Sequence, residues 1–281
     1  MSHTSSPGDE PIVRVRSSGA SRSLGLSELW RYRELVHFIV WRDVKVRYKQ
    51  TVLGVAWAVL QPLASMLIFA LIFGRLAGMP SDGVPYPIFA LAALVPWTLF
   101  AQGMTQASGS VVASEDLIRK VYFPRLVIPV AAVGSSVVDF TIGFVVLIGL
   151  MWFYGIVPGL PALWIPALVL LAVVTAVAVG LWLAALTTRY RDVRHVLPFL
   201  TQLWFFATPV AYPSSLVPAT WRPLYGLNPM VGVIDGFRWA LLGADTRPGP
   251  TVAVAVIAVL ILLLGGAAYF RRAERILADV I

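Results

Sequence analysis

Asp139 stands near the middle of a long apolar run and is the one charged side chain inside any stretch apolar enough to cross a bilayer. An ionisable group at that depth costs roughly 2.5–3.5 kcal/mol on insertion scales, so it should face protein or water rather than lipid. Two roles fit it: part of a polar passage or proton-linked site, or a buried carboxyl hydrogen-bonded to a neighbouring helix that bears Gln or Tyr. No second charge within a span is available to build a relay. Uncharged polar groups recur at span positions, at Gln61, Gln102, Gln106, Thr201 and Gln202, alongside Trp57, Trp97, Phe100, Trp204, Phe205 and Phe206. Amides and ring faces suit a neutral, hydroxyl-rich passenger, although helix–helix hydrogen bonds and interfacial aromatic belts use the same residue types.

Other chemistries lack their residues. A Walker A loop ends in Gly-Lys followed by Ser or Thr, because glycine amides cradle phosphate and the lysine reaches its outer oxygens. Lysine occurs only at 45, 49 and 120, preceded by Val44, Tyr48 and Arg119, so ATP hydrolysis by that route is excluded. His3, His37 and His195 form no ligand pair, and the chain has no cysteine, which removes disulfides, thiolate nucleophiles and cysteine-ligated zinc. We therefore expect no catalytic residues, no metal site and no cofactor in this chain.

The elements that carry these groups are helices in a membrane. Of 281 residues 58% are hydrophobic and only 13% charged, against about 25% charged in soluble domains. Windows of about 20 apolar residues run from Val52 to Phe73, Tyr86 to Met104, Leu126 to Tyr154, Ala162 to Leu186, Val196 to Tyr212 and Val252 to Phe270. The fifth is short and proline-bounded. The net charge of +8 would suggest nucleic acid in a soluble protein, but here the cations flank spans. Arg42, Lys45, Arg47, Lys49, Arg119, Lys120, Arg125, Arg189, Arg191, Arg194, Arg271, Arg272 and Arg275 fall on one side; Arg75, Arg222, Arg238 and Arg247 fall on the other. By the positive-inside rule both termini are cytoplasmic and the number of spans is even. Residues 1–25, rich in Ser, Gly, Pro and Arg with no apolar core, read as a disordered cytoplasmic tail. Leu26 to Lys49 reads as an amphipathic helix lying in the cytoplasmic interface, with Trp30 and Trp41 at headgroup level and cations near anionic lipid. The fold class expected is an all-α membrane protein over residues 26–281: an interface helix at 26–49, six transmembrane helices, and short, half-immersed outer helices before the last span.

Two loops stand out. Between Ser114 and Arg125, Ser114 is placed to cap a short helix, Glu115 and Asp116 sit at its positive end, and Pro124 stops it. Leu117, Ile118, Val121 and Tyr122 share a face that a loop between two spans cannot bury alone, so it should dock on a cytoplasmic partner or on the ends of the chain's own helices. The outer segment 213–250 is too apolar for a free loop and too interrupted by Pro218, Pro223, Pro229 and Gly243 to span, which predicts half-immersed helices.

Five stretches, RDVKVRYKQTVLGVAWAVLQPL (Arg42 to Leu63), LIRKVYFPR (Leu117 to Arg125), TTRYRDVRHV (Thr187 to Val196), TPVAYP (Thr208 to Pro213) and NPMVGVIDGFRWALLG (Asn228 to Gly243), occur in the order and spacing of a known family. From residue 27 onward the chain resembles the ABC-2 type permeases that export O-antigen polysaccharide or teichoic acid, the Wzm or TagG type. The resemblance implies a bacterial inner-membrane homodimer working with two separate ATPase subunits that bind ATP and Mg, and a polysaccharide cargo on polyprenyl diphosphate. It places Leu117, Ile118, Arg119, Lys120, Val121 and Tyr122 at the ATPase-facing surface. Trp221, Tyr225, Asn228 and Arg238 would belong to an outer gate. Arg42, Arg47 and Lys49 would meet the diphosphate or lipid headgroups. Trp57, Gln61, Trp97, Phe100, Gln102, Asp139, Gln202 and Trp204 would line the passage. An ABC-2 permease for drugs or lipids is the alternative. A membrane-embedded glycan enzyme lacks convergent acid, base or metal-binding groups, and a secondary transporter usually carries several intramembrane charges.

Overall fold

The computed structural model describes residues 26–49, 55–190, 192–218, 220–244 and 249–278. The tail 1–25 and the first residues of the first expected span lie outside them. Among the described residues every regular element is a helix.

The N-terminal stretch is a short helix α1 (Leu26–Arg31) and a longer α2 (Arg33–Lys49), joined at Tyr32 instead of running as one helix. α2 buries Ile39 and Val44 and leaves Trp41 and Phe38 more than half exposed, the one-sided burial that an interfacial helix requires. It lies on α6 (Val127–Phe153), where a side chain at Gly134 would meet Val40 Cγ2 at 2.9 Å. The absence of a Cβ is what lets the two helices approach.

The bundle is built around α4 (Tyr86–Ala113), which is buried between α6 and α7 (Ile165–Arg189). α4 is nine residues longer than its apolar window, because Ser108 and Ser110 near its end find partners within the protein: Thr187 Oγ1 at 2.9 Å and the Ala107 carbonyl at 2.8 Å. A Cβ at Gly180 would meet that of Ala107 at 2.6 Å, so α4 and α7 touch nearly backbone to backbone. α11 (Pro250–Ala278) packs on α7, and Trp182 donates to the Leu262 carbonyl at 3.0 Å. α3 (Val55–Phe69) covers one side of α4 and α6 and continues as a π-helical segment over Ala70–Leu76, so this span reaches Leu76 rather than ending at Phe73.

Among the described residues five helices are long and apolar enough to cross a membrane: Ala56–Leu76, Tyr86–Ala113, Val127–Phe153, Leu160–Arg189 and Val252–Glu274. The fifth window of the sequence differs. Its helix, α8 (Val193–Phe206), has 14 residues, about 21 Å of rise against a hydrocarbon core of about 30 Å. The chain then turns at 207–212, where Pro209 has no N–H to continue a helix. Beyond it come a turn at Ser214–Leu216, a short α9 (Arg222–Tyr225) and α10 (Pro229–Leu242), which starts on a proline and stops at Gly243 in the left-handed region (φ +69°). These are short helices, as the proline spacing predicts.

Candidate functional site

A cavity of about 700 Å³ lies where α2, α3, α4 and α6 meet. Its wall carries Trp57, Gln61 and Ser65 from α3 and Thr98 and Gln102 from α4, interleaved with the apolar Leu94, Val95 and Phe140. In α3, Pro62 has no N–H to give the carbonyl of Ala58, and both residues line the space, so the helix adds backbone polarity to a wall of amides and hydroxyls. Such a wall offers donors and acceptors in several directions with no fixed charge.

Charge enters only at the α2 end, and it is compensated. Arg47 donates through Nη1 to Asp139 Oδ2 and through Nη2 to Gln106 Oε1 at 2.7 Å, with Ser135 Oγ at 3.4 Å. Ser135 Oγ also donates to Gln106 Oε1 at 2.7 Å. The second Asp139 oxygen accepts from the Tyr48 hydroxyl. Burial, reinforced by the hydrogen bond to the Asp139 carboxylate, pushes the Tyr48 phenol up to about 12, so it remains a donor at neutral pH. Asp139 is therefore the hydrogen-bonded carboxyl that one sequence reading anticipated, with a Tyr among its partners. Its second partner is a cation. Arg47, expected at a headgroup or diphosphate, points inward instead, because α2 lies along α6 and carries it to the level of Asp139.

The other residues expected in the passage divide. Trp57, Gln61, Gln102 and Asp139 come together on the cavity. Trp97 and Phe100 are buried at 6% and 0% exposure and pack edge-on with Trp204 and Phe205, with ring centroids 4.9–5.5 Å apart, so they form the core behind the wall and do not reach the lumen. Gln202 faces outward on α8. Arg42 pairs with its neighbour Asp43 at 2.8 Å, while Lys49 is exposed. Tyr48, Ser65, Thr98 and Ser135 were not singled out in the sequence; no spacing rule marks a Ser or Thr that faces a lumen.

Beyond the turn after α8, Asn228 fastens α8 to α10. Its Oδ1 accepts from Met230 N (3.1 Å) and Trp204 Nε1 (3.0 Å), and its Nδ2 donates to Thr208 Oγ1 (2.9 Å). Arg238 is fully buried and caps the turn after α8, donating to the carbonyls of Pro209 (2.7 Å) and Val210 (2.9 Å) with its plane over the Phe89 ring. This explains why the chain can turn where a span was expected: irregular backbone is tolerated at depth when its carbonyls are satisfied within protein. Tyr225 meets the Tyr212 hydroxyl at 3.2 Å, and Trp221 is exposed.

The loop after α4 forms α5 (Glu115–Lys120). Ser114 precedes it but its hydroxyl makes no capping bond; its carbonyl accepts from Leu117 N and Ile118 N instead. The apolar face is split. Leu117 and Ile118 pack with Ile39 of α2 and with Phe123 and Val127, the docking on the chain's own helices that was one of the two expectations for this loop. Val121 and Tyr122 remain 50% and 97% exposed. Arg119 pairs with Glu115 one turn back.

The family model of the ABC-2 type transporter matches residues 34–242. The chain is 30% identical over 252 residues to the O-antigen export system permease protein RfbA of Myxococcus xanthus, covering 88% of this chain and 95% of that one. It is 27% identical over 249 residues to the O-antigen export system permease protein RfbA of Klebsiella pneumoniae, again covering 88% and 95%. It is 22% identical over 236 residues to the polysialic acid transport protein KpsM of Escherichia coli, covering 83% and 91%.

Proposed function

The chain belongs to the ABC-2 type transporter family, and on that footing we propose that it is the inner-membrane permease subunit of a polysaccharide exporter. The observation that carries the reading is the cavity: amides and hydroxyls set among apolar side chains such as Trp57, Leu94, Val95 and Phe140, with the charges among its described lining residues cancelled in the Arg47–Asp139 pair. A long polyhydroxylated polymer needs many weak, exchangeable hydrogen bonds and ring contacts and is held back by fixed charge.

The finer reading follows from the same groups. Two copies face one another along α3 and its π-helical continuation, whose Leu67, Ile68 and Leu71 are more than half exposed, and the cargo passes between them with its lipid carrier in the bilayer. Both termini and α5 lie in the cytoplasm, where the basic residues gather, so α8 together with the turn at 207–212 completes a sixth crossing. ATP is hydrolysed by a separate subunit that binds Val121 and Tyr122 at the exposed tip beyond α5, with Mg held there and not by this chain. Filling the cavity tests the route: Ser65→Trp should lower surface polysaccharide severely while the protein still inserts, and undiminished export would show that the polymer passes elsewhere.

A further inference from the structure

A second cavity, of about 590 Å³, lies at the α2 end between α2 and the ends of α4 and α6, with Arg42, Thr105 and Ser114 on its wall. It and the membrane cavity have two residues in common, Arg47 and Gln106. The partition between them is made of side chains. Arg47 crosses from α2 to Asp139 and Ser135 on α6 and to Gln106 on α4, tying three helices at one point. The planar guanidinium, with donors diverging in one plane, suits this bridging; the single head of a lysine does not.

We propose that Arg47, Asp139 and Gln106 form a bar that closes the membrane cavity toward the α2 side and that opens when Arg47 swings away from Asp139. Three features support a movable part rather than a structural tie alone. The part that has to move is one long side chain, Arg47, so rotation about its own bonds opens the bar without moving a helix. Its pair is partly accessible, with side-chain exposures of 32% for Arg47 and 14% for Asp139, so water can reach the guanidinium as it leaves. Tyr48 holds the other Asp139 oxygen, so the carboxylate keeps a donor while Arg47 is away. The inference rests on the cavity being the transport route only for its purpose; the closure itself is a property of the chain at rest.

The native chain has no cysteine, which makes the test direct. A single Thr98→Cys reporter sits on the membrane cavity and a single Thr105→Cys reporter on the second cavity. Each is placed in full-length protein in inside-out membrane vesicles and labelled with a membrane-impermeant maleimide. Thr98→Cys should react slowly in the otherwise native chain and about tenfold faster with Arg47→Ala, a change equivalent to about 1.4 kcal/mol of lost closure. The Thr105→Cys reporter should react at the same rate in both. Arg47→Lys and Asp139→Asn, which keep most of the local volume, give the same comparison if Arg47→Ala does not insert. Acceleration confined to Thr98→Cys supports the bar; equal rates throughout, or acceleration at both reporters, overturns it. Export is not measured in this experiment, so an open bar with a failed Ser65→Trp block, or the reverse, separates the two proposals.

Discussion

Arg47 of α2 and Asp139 of α6 are 92 positions apart in sequence and form one ion pair at the α2 end of the cavity. An isolated charge on either side would be costly at that depth, so each residue accounts for the presence of the other. Their energetic coupling is measurable. In a double-mutant cycle of Arg47→Ala and Asp139→Ala, each single variant should unfold more readily in detergent, and the double variant less than the sum, with a coupling of about 0.5–3 kcal/mol. Additive effects would mean that the pair is not an energetic unit.

Trp57 and Trp97 should respond oppositely to truncation. Trp97→Ala removes a core ring packed on Phe100 and Phe205 and should cost about 3–5 kcal/mol of stability. Trp57 is 59% exposed on the cavity, so Trp57→Ala should leave the melting temperature nearly unchanged while lowering export or altering polymer length. Thermal unfolding and surface-polymer gels on the same two variants decide the matter; a Trp57 variant that melts early, or a Trp97 variant that does not, contradicts these placements.

Substitutions along the α5 loop should separate folding from coupling. Val121→Asp with Tyr122→Asp should abolish co-purification with the ATPase subunit and export, with membrane insertion intact, since both side chains are exposed. Leu117→Asp instead places a charge among Ile39, Phe123 and Val127 and should lower the amount of inserted protein. Normal co-purification by the Val121, Tyr122 double variant would remove this tip from the interface.

Arg238 is expected to behave as a structural clamp. Arg238→Lys keeps the charge but cannot reach the carbonyls of Pro209, Val210 and Phe89 together, and an unsatisfied buried acceptor costs about 1–3 kcal/mol. The lysine variant should melt well below the native protein, and a native-like melt would show that the turn after α8 holds without it.

Much of this architecture was legible because membrane spans are written as long apolar runs, and five of the six windows are long helices. The outer helices were legible from Pro229 and Gly243, which mark a start and a stop. The fifth window holds a helix shorter than its apolar run, because hydropathy cannot register Pro209 turning the chain beneath a buried arginine. Gln61, Gln102 and Asp139 announced themselves as polar groups in apolar surroundings, but which aromatic rings reach the lumen depends on helix rotation; Trp97 and Trp57 look alike in sequence and sit on opposite sides of the wall. The partner of Asp139 was hidden for a related reason: Arg47 lies outside every apolar window and reaches depth only because Gly134 lets α2 settle on α6.

The account stands most directly on what the cell exports. The gene should be deleted and restored on a plasmid, with surface polysaccharide and its lipid-linked precursor measured in both strains. The account predicts a bare surface with precursor accumulating inside the deletion strain, and recovery of the surface polymer on restoration. Unchanged surface polysaccharide together with altered drug tolerance would contradict it and point to a permease for another cargo.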